Sequence, residues 1–406
     1  MEEQLYLVKP AEPYWTAMRL IAHREHIIVP YDSEGAMFIG EIPIVASCAS
    51  NIEPLLDGRR VAIIREKGIM IRAQNKKMAG LLQSVACFSC VVRFLVDAVK
   101  QPQKGYASHA EFRNLFAGLT AKHQEVGALK KGTFTKTEIA REAMVEAGKE
   151  VVRLGLVNAS FGNISYVIGE TLLISATGSF LDDLDNSLVA VPLLQSSPQD
   201  KSASSELPAH RKILLLQGLR AVLHGHPLFT VVASLIADSE RINGVPVVQG
   251  ETGGGKRGLD KVLPQALQKS PIAIVQGHGV FCVDGTDYRQ PIKRMLQLEE
   301  DCMREYSDAL EGKIVHGMKV NNVVPNGDKK RPQHPMPDFV RRSLIDSGLL
   351  AAYQARPPYQ RNDYIGWINR AKLQKTKEKR LLQMLEELAK GGVYMNMAHP
   401  PSNRGK

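Results

Sequence analysis

The chain is poor in cysteine, in long apolar runs and in anything that resembles a leader, and each shortage excludes something. Five cysteines occur in 406 residues, Cys48, Cys87, Cys90, Cys282 and Cys302. So sparse and odd a set is no disulfide framework. Cys87 and Cys90 make a lone CxxC inside the apolar run "SVACFSCVVRFLV", with no second pair and no nearby histidine. They read as core cysteines of a buried helix rather than as a redox or zinc pair. No apolar stretch approaches the roughly 18 residues that a membrane span needs. The opening "MEEQLYLVKP" is acidic and lacks the basic and apolar regions of a signal peptide. The expectation is a cytoplasmic protein with no membrane partner.

What is present is a globular composition, 44% hydrophobic and 23% charged. The length exceeds one ordinary core and predicts two or three domains. The net charge of +10 is uneven: from about residue 313 onward there are 18 Lys and Arg against 7 acids, and the rest is close to neutral. A basic helical tail of this kind suits nucleic acid or an acidic partner, or is a solvated helical face.

Residues 137–153, "KTEIAREAMVEAGKEVV" with its leading Lys136, show apolar spacings of three and four and predict a helix capped by Thr135 or Thr137. "NISYVIGETLLISATG" predicts a hairpin turning at Gly169-Glu170. Then "SSELPAHRKILLLQGL" reads as a capped helix, "RAVLHGH" as a strand and "LFTVVASLIAD" as a helix. "GVPVVQG" is a strand, "GLDKVLPQALQ" a helix, "IAIVQGHGVFCVDG" a strand pair, and 289–311 a long helix. The fold class is α/β, an α/β layered domain over about 131–320.

The N-terminal third carries a partial copy of that unit. "WTAMRLIAHRE…GEIPIV…RRVAIIREKGIMI" runs parallel to "FTVVASLIADSE…NGVPVV…SPIAIVQGHGVFC", and the long helices that follow also correspond. The copy covers only the second half of the unit. It has "LYLVKP" where the other has "VLHGHP", and Lys67 in place of His278. Lys104 to Lys131 reads as a polar, helix-prone connector, and 321–336 as a linker rich in Pro, Gly and Lys. Beyond it three helices are expected, the last stopped by Gly391-Gly392.

The chemistry gathers at "AVLHGHPLF". Residues two apart on a strand share a face, so His224 and His226 project together, with Gly225 leaving room between them. A third imidazole, His278, sits between glycines at another strand end. Three neutral imidazoles with one open position make a catalytic zinc arrangement; a lone core histidine is usually a satisfied hydrogen-bonder. Glu206, in "SASSELPAH", follows Ser204 and Ser205 at a helix start. The serines read either as caps or, with free helix N–H groups, as an anion cradle beside an acid/base. "FGNIS" (Gly162, Asn163, Ser165) and "SATGS" (Thr177, Gly178, Ser179) can complete the cradle, though each alone is only a turn signal. His210, four residues after Glu206, reads as a supporting or structural residue. "GETGGGKR" has phosphate-loop spacing up to its Lys, but Arg257 stands where a Ser or Thr must hold magnesium.

"GNIS", "ISATG", "SSELPAH", "HGHP" and "GHG", in this order and spacing over about 131–320, resemble the class II aldolase/adducin family, and within it the L-fuculose-1-phosphate aldolase type. The resemblance implies an α/β/α layered domain in a homo-oligomer with active sites at subunit interfaces. It implies one zinc ion on His224, His226 and His278, and a substrate phosphate on Asn163, Thr177, Gly178, Ser204 and Ser205, with Gly162 beside them. It implies Glu206 as the catalytic acid/base of a retro-aldol cleavage of a small phosphorylated sugar-like substrate through an enediolate. Aldolase members also use a tyrosine from the C-terminal region, for which Tyr306 is a candidate by position alone. Decarboxylase, dehydratase and epimerase branches share the same metal and anion core and stay open. So does a non-catalytic scaffold acting through the basic tail.

The tail "MPDFVRRSLIDSGLLAAYQARPPYQRNDYIGWINRAKLQKTKEKRLLQMLEELAKG" is similar to the YdeI/OmpD-associated (bacteriocin-protection) proteins. Tyr364, Trp367 and Ile368 read as core of a small helical bundle. The expected organisation is a degenerate half-repeat and connector over 1–130, a catalytic domain over 131–320, a linker over 321–336 and a helical tail over 337–406.

Overall fold

The computed structural model describes residues 3–47, 56, 58–120, 125–157, 162–250 and 258–310. Toward the C-terminus it describes 334, 336–354, 356, 358–371, 374–391, 393, 394, 397 and 398. Cys48, most of the Gly-rich loop before Gly258, and nearly all of 321–336 lie outside the described residues. The chain divides into two compact units, 1–320 and 321–406.

The larger sheet of the first unit is built from β6 (Asn163–Ile168), β7 (Thr171–Ser175), β8 (Leu188–Pro192), β9 (Ala221–Gly225), β10 (Arg241–Ile242), β11 (Val245–Val248), β12 (Ile272–Val275) and β13 (Gly279–Asp284). Its order is β10-β11-β12-β13-β9-β6-β7-β8. The β6–β7 hairpin turns at Gly169, whose φ of 55° suits glycine. Helices α6 (Leu207–Leu214) and α8 (Leu259–Leu267) bury Leu207, Ile213, Leu259 and Leu263 against Val222, Val275 and Phe281 on one face. Helices α5 (Thr137–Arg153), α7 (Leu228–Ile236) and α9 (Arg289–Leu310) pack Met144, Phe229, Ile292 and Met295 on the other. The result is an α/β/α layered fold. Neither threonine caps α5; the N-cap is Lys136, which has no side-chain hydrogen bond to the helix.

The N-terminal region forms a second sheet from β1 (Gln4–Val8), β2 (Ile27–Ile28), β3 (Ile42–Val45), β4 (Val61–Ile64) and β5 (Gly68–Ala73), ordered β1-β5-β4-β3-β2. Every pairing has its counterpart in the larger sheet. β2–β3 and β10–β11 are antiparallel, β3–β4 and β11–β12 parallel, β4–β5 and β12–β13 antiparallel, and β1–β5 matches β9–β13. The partial repeat inferred from the sequence is thus a repeat of topology, and β6 to β8 have no equivalents in it.

Helices α1 (Tyr14–Ala22) and α3 (Lys76–Lys100) stand in the half-repeat where α7 and α9 stand in the full copy. Their buried Trp15, Met18, Val91 and Leu95 share one continuous apolar core with α7 and α9. Helix α3 departs from the expectation of no long apolar run: it is long and apolar enough to cross a membrane, but 78% of its apolar window is buried inside the protein. Cys87 and Cys90 face this core, and burial pushes the Cys87 thiol up to about 12. That is the state of packing cysteines, not of reactive ones. Among the described residues the expected connector, Lys104 to Lys131, contains one α-helix, α4 (His109–Thr120).

Among the described residues the second unit has four helices where three were expected: α10 (Asp338–Asp346), α11 (Leu350–Gln354), α12 (Pro358–Asn369) and α13 (Gln374–Lys390). The chain breaks between α10 and α11 at Gly348, whose φ is 69°. Tyr364 and Ile368 are buried in its core with Val340, Leu344 and Met384, whereas Trp367 is only partly buried and stacks on the Arg380 guanidinium. Gly391, with φ of 67°, ends α13 as expected. A short hairpin, β14 (Val393–Tyr394) with β15 (Met397–Ala398), follows.

Candidate functional site

The site forms where β9 runs out. β9 is central in its sheet, and its register sets His224 between Phe281 on β13 and Asn163 on β6. The Phe281 ring stacks on the His224 imidazole with centroids 4.0 Å apart and planes 12° apart, which fixes the ring. His224 Nδ1 lies 3.0 Å from the Val280 carbonyl oxygen. A carbonyl only accepts, so Nδ1 carries the proton and Nε2 presents a lone pair. His226 lies just past the strand, its N–H donating to the Leu156 carbonyl at 3.0 Å. His278 occupies the β12–β13 turn, where Gly277 takes a φ of 66°.

The three imidazoles converge. His224 Nε2 is 2.9 Å from His226 Nε2 and 3.1 Å from His278 Nε2. All three side chains are buried, and their nitrogens form a group able to hold a metal ion. Burial lowers His224 to about 4 and His226 well below its ordinary value, so both are neutral at pH 7. Facing lone pairs at this distance repel unless a proton or cation lies between them, and neutral imidazole is the ligand form. His278 goes the other way: burial alone would lower it, but the Glu206, Glu34 and Asp32 carboxylates outweigh that and raise it.

Gly225 does not serve as the sequence suggested. Its missing side chain faces away from the histidines, where a Cβ would meet Met295 Sδ at 2.7 Å and the Leu156 oxygen at 3.0 Å. The glycine that makes room for the rings is Gly279, where a Cβ would lie 2.4 Å from the Gly225 oxygen, 2.9 Å from His224 and 3.2 Å from His226.

Glu206 stands at the start of α6, and Ser204 and Ser205 precede it without capping the helix; the N-cap is Glu206 itself. Ser204 Oγ accepts from the Glu206 N–H at 3.3 Å. Glu206 Oε2 accepts from Asn163 Nδ2 at 2.6 Å and is 3.4 Å from His224 Nε2. Its Oε1, buried without a hydrogen-bond donor, is 3.2 Å from His278 Nε2. Burial alone would raise this carboxyl, but the His224 and His278 imidazoles and the Asn163 amide hold it well below the usual carboxylate range. Behind it runs a chain. His210 Nε2 bonds Asn163 Oδ1, and His210 Nδ1 lies 2.6 Å from Ser165 Oγ. Burial lowers His210 to about 3. The neutral ring therefore donates to Asn163 and accepts from Ser165, which aims the Asn163 amide at Glu206.

A cleft of about 340 Å³ opens over this group. Gly162, Thr177, Gly178, Ser179, Ser204 and Ser205 form one side of it. Asn163 also reaches the cleft, but its amide is engaged by Glu206. The rest of the lining comes from the half-repeat: Glu34, Met37 and Phe38 on helix α2 (Ser33–Phe38), and Met78 and Leu81 on α3. Burial raises the Glu34 carboxyl to about 7. Sequence reasoning expects the non-catalytic half-repeat to cover the catalytic domain or to form an assembly interface, but it names none of these residues. The available signal was the spacing from "LIA" to "IPIV" in the half-repeat, longer than that from "LIA" to "VPVV" in the full copy. Tyr306 is not in the cleft. It is buried between Phe116 and Phe229, its hydroxyl donating to the Leu95 carbonyl at 2.8 Å, and no tyrosine lines the cleft among the described residues.

Residues 142–306 match the family described as Class II Aldolase and Adducin N-terminal domain. Residues 336–391 match the family described as Bacteriocin-protection, YdeI or OmpD-Associated. A curated relative, 3,4-dihydroxyphthalate decarboxylase from Arthrobacter keyseri, is 28% identical over 176 residues, which is 36% of this chain and 70% of the relative. The L-fuculose-1-phosphate aldolase of Thermus thermophilus is 26% identical, with a TM-score of 0.36, over 43% of this chain and 98% of that one. A putative aldolase/epimerase/decarboxylase from Klebsiella pneumoniae is 23% identical, with a TM-score of 0.36, over 41% of this chain and 88% of that one. The matched segment thus contains the three-histidine group, Glu206 and the polar lining of the cleft, and the lining residues of the half-repeat lie outside it.

Proposed function

We propose that the protein is a divalent-metal-dependent lyase of the class II aldolase type, making or breaking a C–C bond in a small phosphorylated, sugar-like substrate. The observation that carries this reading is the convergence of three buried imidazole nitrogens beside a buried carboxylate, at the base of a cleft lined by hydroxyls. His224, His226 and His278 are the residues that would hold the ion, and zinc suits an all-imidazole set. When bound, the ion supplies Lewis-acid polarisation of the substrate carbonyl and stabilises the charge that develops as the C–C bond breaks.

The remaining work falls to the chain itself. Glu206, ionised and beside the imidazoles, takes and returns the proton at the reacting carbon or hydroxyl. Asn163 holds Glu206 Oε2, and His210 and Ser165 hold Asn163, so the base keeps one orientation. The hydroxyls of Thr177, Ser204 and Ser205, with the backbone at Gly162 and Gly178, bind the substrate's anionic group. The deep position of the site excludes bulk water from the charges. The half-repeat over 1–130 serves as the non-catalytic cover of the domain that follows.

A second reading, decarboxylation of an aromatic carboxylate bearing adjacent oxygens, is favoured by the apolar wall of Met37, Phe38, Met78 and Leu81 and by the decarboxylase among the relatives. The deciding experiment begins with metal content, expected near one ion per chain and lost in His224→Ala. Metal-loaded protein is then offered dihydroxyacetone phosphate with a panel of aldehydes and, separately, dihydroxybenzoates and dihydroxyphthalates. Aldol adducts support the first reading, and carbon dioxide release supports the second. Protein that takes up no metal loses both.

A further inference from the structure

The half-repeat differs from the full copy in one hairpin. In the full copy β10 and β11 are joined by the tight Asn243-Gly244 turn. In the half-repeat residues 29–41 stand between the equivalent β2 and β3, and they contain α2. This insertion is docked with care. The Ser33 N–H donates to the Gly277 carbonyl at 2.8 Å, in the turn that carries His278. Asp32 caps α2 through the Gly35 N–H at 2.7 Å. Gly35 lies flush on α3, where a Cβ would meet Ser89 Oγ. The outcome is that Glu34, 7% exposed, puts Oε1 3.6 Å from His278 Nε2.

We propose that Glu34 is a carboxylate donor to the metal centre, supplied in cis by the half-repeat, and that the bound ion ties the half-repeat to the catalytic domain. The inference rests on the metal-site reading above. Two donors on one ion at bond lengths of about 2.0–2.1 Å stand roughly 3.3–3.6 Å apart at tetrahedral or slightly wider angles. Glu34 Oε1 has that separation from His278 Nε2, too long for a hydrogen bond, while the nitrogens that group within 4.8 Å of one another are those of the three histidines, so binding draws the Glu34 side chain toward them.

Charge argues the same way. Asp32, Glu34 and Glu206 are all buried around the three imidazoles. Among the described residues no Lys or Arg pairs with any of them, and none lines the cleft. An ionised carboxylate buried without a cation is costly, and a divalent ion at the imidazole nitrogens offsets that cost when Glu34 binds it as a carboxylate. The inserted helix is thus a fourth arm of the site, whereas the family motifs alone supply three.

The test uses the full chain, stripped of metal and titrated with cobalt(II), whose visible absorption reports its ligand set. Glu34→Gln keeps the shape of the side chain and removes the charge. It is expected to weaken cobalt affinity by about tenfold or more, to change the position and intensity of the cobalt band, and to shrink the rise in melting temperature on metal addition. Glu34→Asp, a shorter carboxylate, should recover part of the affinity and separates a donor from a packing residue if the Gln variant is poorly folded. Wild-type affinity with an unchanged band in Glu34→Gln overturns the inference and leaves the three-histidine site standing. An equal loss in Glu34→Gln and Glu34→Asp, with the wild-type band in both, also overturns it. Wild-type protein that binds no cobalt, or His224→Ala that binds it as tightly, sinks the metal site itself.

Discussion

Two copies of one topology stand side by side, and only one is equipped for chemistry. The pairing register aligns Leu7 with His224 and Lys9 with His226, because Val8 faces Ile69 as Gly225 faces Val280. Both chains continue into a proline, Pro10 and Pro227. Lys67 takes the turn position of His278. The half-repeat keeps the strands and helices that build a core and has lost the imidazoles. It also lacks equivalents of β6 to β8, which in the full copy bring Asn163 and Thr177 to the cleft. The comparison teaches that this framework tolerates removal of the whole donor set. It also shows that a degenerate copy can be turned to a new use, as a wall of its neighbour's cleft.

The sharpest way to break the comparison is to write the half-repeat's residues into the full copy. His224→Leu with His278→Lys should abolish metal uptake, measured by metal content, and cost activity on the order of 10³-fold or more through loss of Lewis-acid stabilisation, while the fold stays intact by circular dichroism. Glu206→Gln keeps two acceptor and donor sites but no base. Its turnover should fall by about 10²–10⁴-fold with metal content unchanged.

Gly279→Ala tests the room that the rings need. A Cβ there collides with the Gly225 backbone and His224, so metal affinity and melting temperature should fall together, with a destabilisation of about 1–3 kcal/mol. The same change at Gly244, where nothing lies within 4 Å but φ is 77°, should lower stability only through backbone strain and leave metal affinity alone. Asn163→Ala should reduce turnover less than Glu206→Gln, because it frees the base without removing it.

The two long helices offer a subtler contrast, since each buries a carboxylate with opposite consequences for pH. On α3, Asp97 accepts from the Tyr31 hydroxyl at 2.8 Å, Arg93 Nε at 2.6 Å and Lys104 Nζ at 3.0 Å. Burial alone would raise it, but these partners hold it below its ordinary value. A depressed carboxylate stabilises the fold above its unfolded value, and that contribution is lost as pH falls through the folded one. On α9, Glu299 accepts from the Phe229 and Thr230 N–H groups, each at 2.8 Å, yet burial still raises it to about 6. Its contribution is fully present below the unfolded value and is lost as pH rises toward and past 6. Urea denaturation from pH 3 to 7 should show Asp97→Asn flattening the acid limb. Glu299→Gln should flatten the pH 4.5–6 region by about 2 kcal/mol at most.

Much of this was legible in the chain. Periodicity gave most of the strand and helix order from 137 to 310 but not β8 or β10, because the buried faces of a layered α/β fold leave apolar runs at fixed spacing whereas β10 is only two residues long and β8 alternates buried and exposed residues imperfectly. The repeat was visible because its strands pack the same way in both copies. His224 and His226 could be paired from their spacing alone, and His278, Glu206 and the polar side of the cleft came from motifs whose order resembled a family. Local chemistry was less readable. Neither serine caps α6, and Gly225 faces the side away from the imidazoles. Tyr306 had a plausible position but lies in an aromatic core.

Sequence by itself determined the donor types, the topology of both copies and the loss of imidazoles from one of them, since these follow from residue identity and short-range pattern. Only the tertiary structure decided that Glu34 faces His278, that Met37 and Phe38 wall the cleft, and that a Ser165–His210–Asn163 chain aims Glu206. Those contacts join residues far apart in the chain, and no local periodicity encodes the packing of one copy against the other.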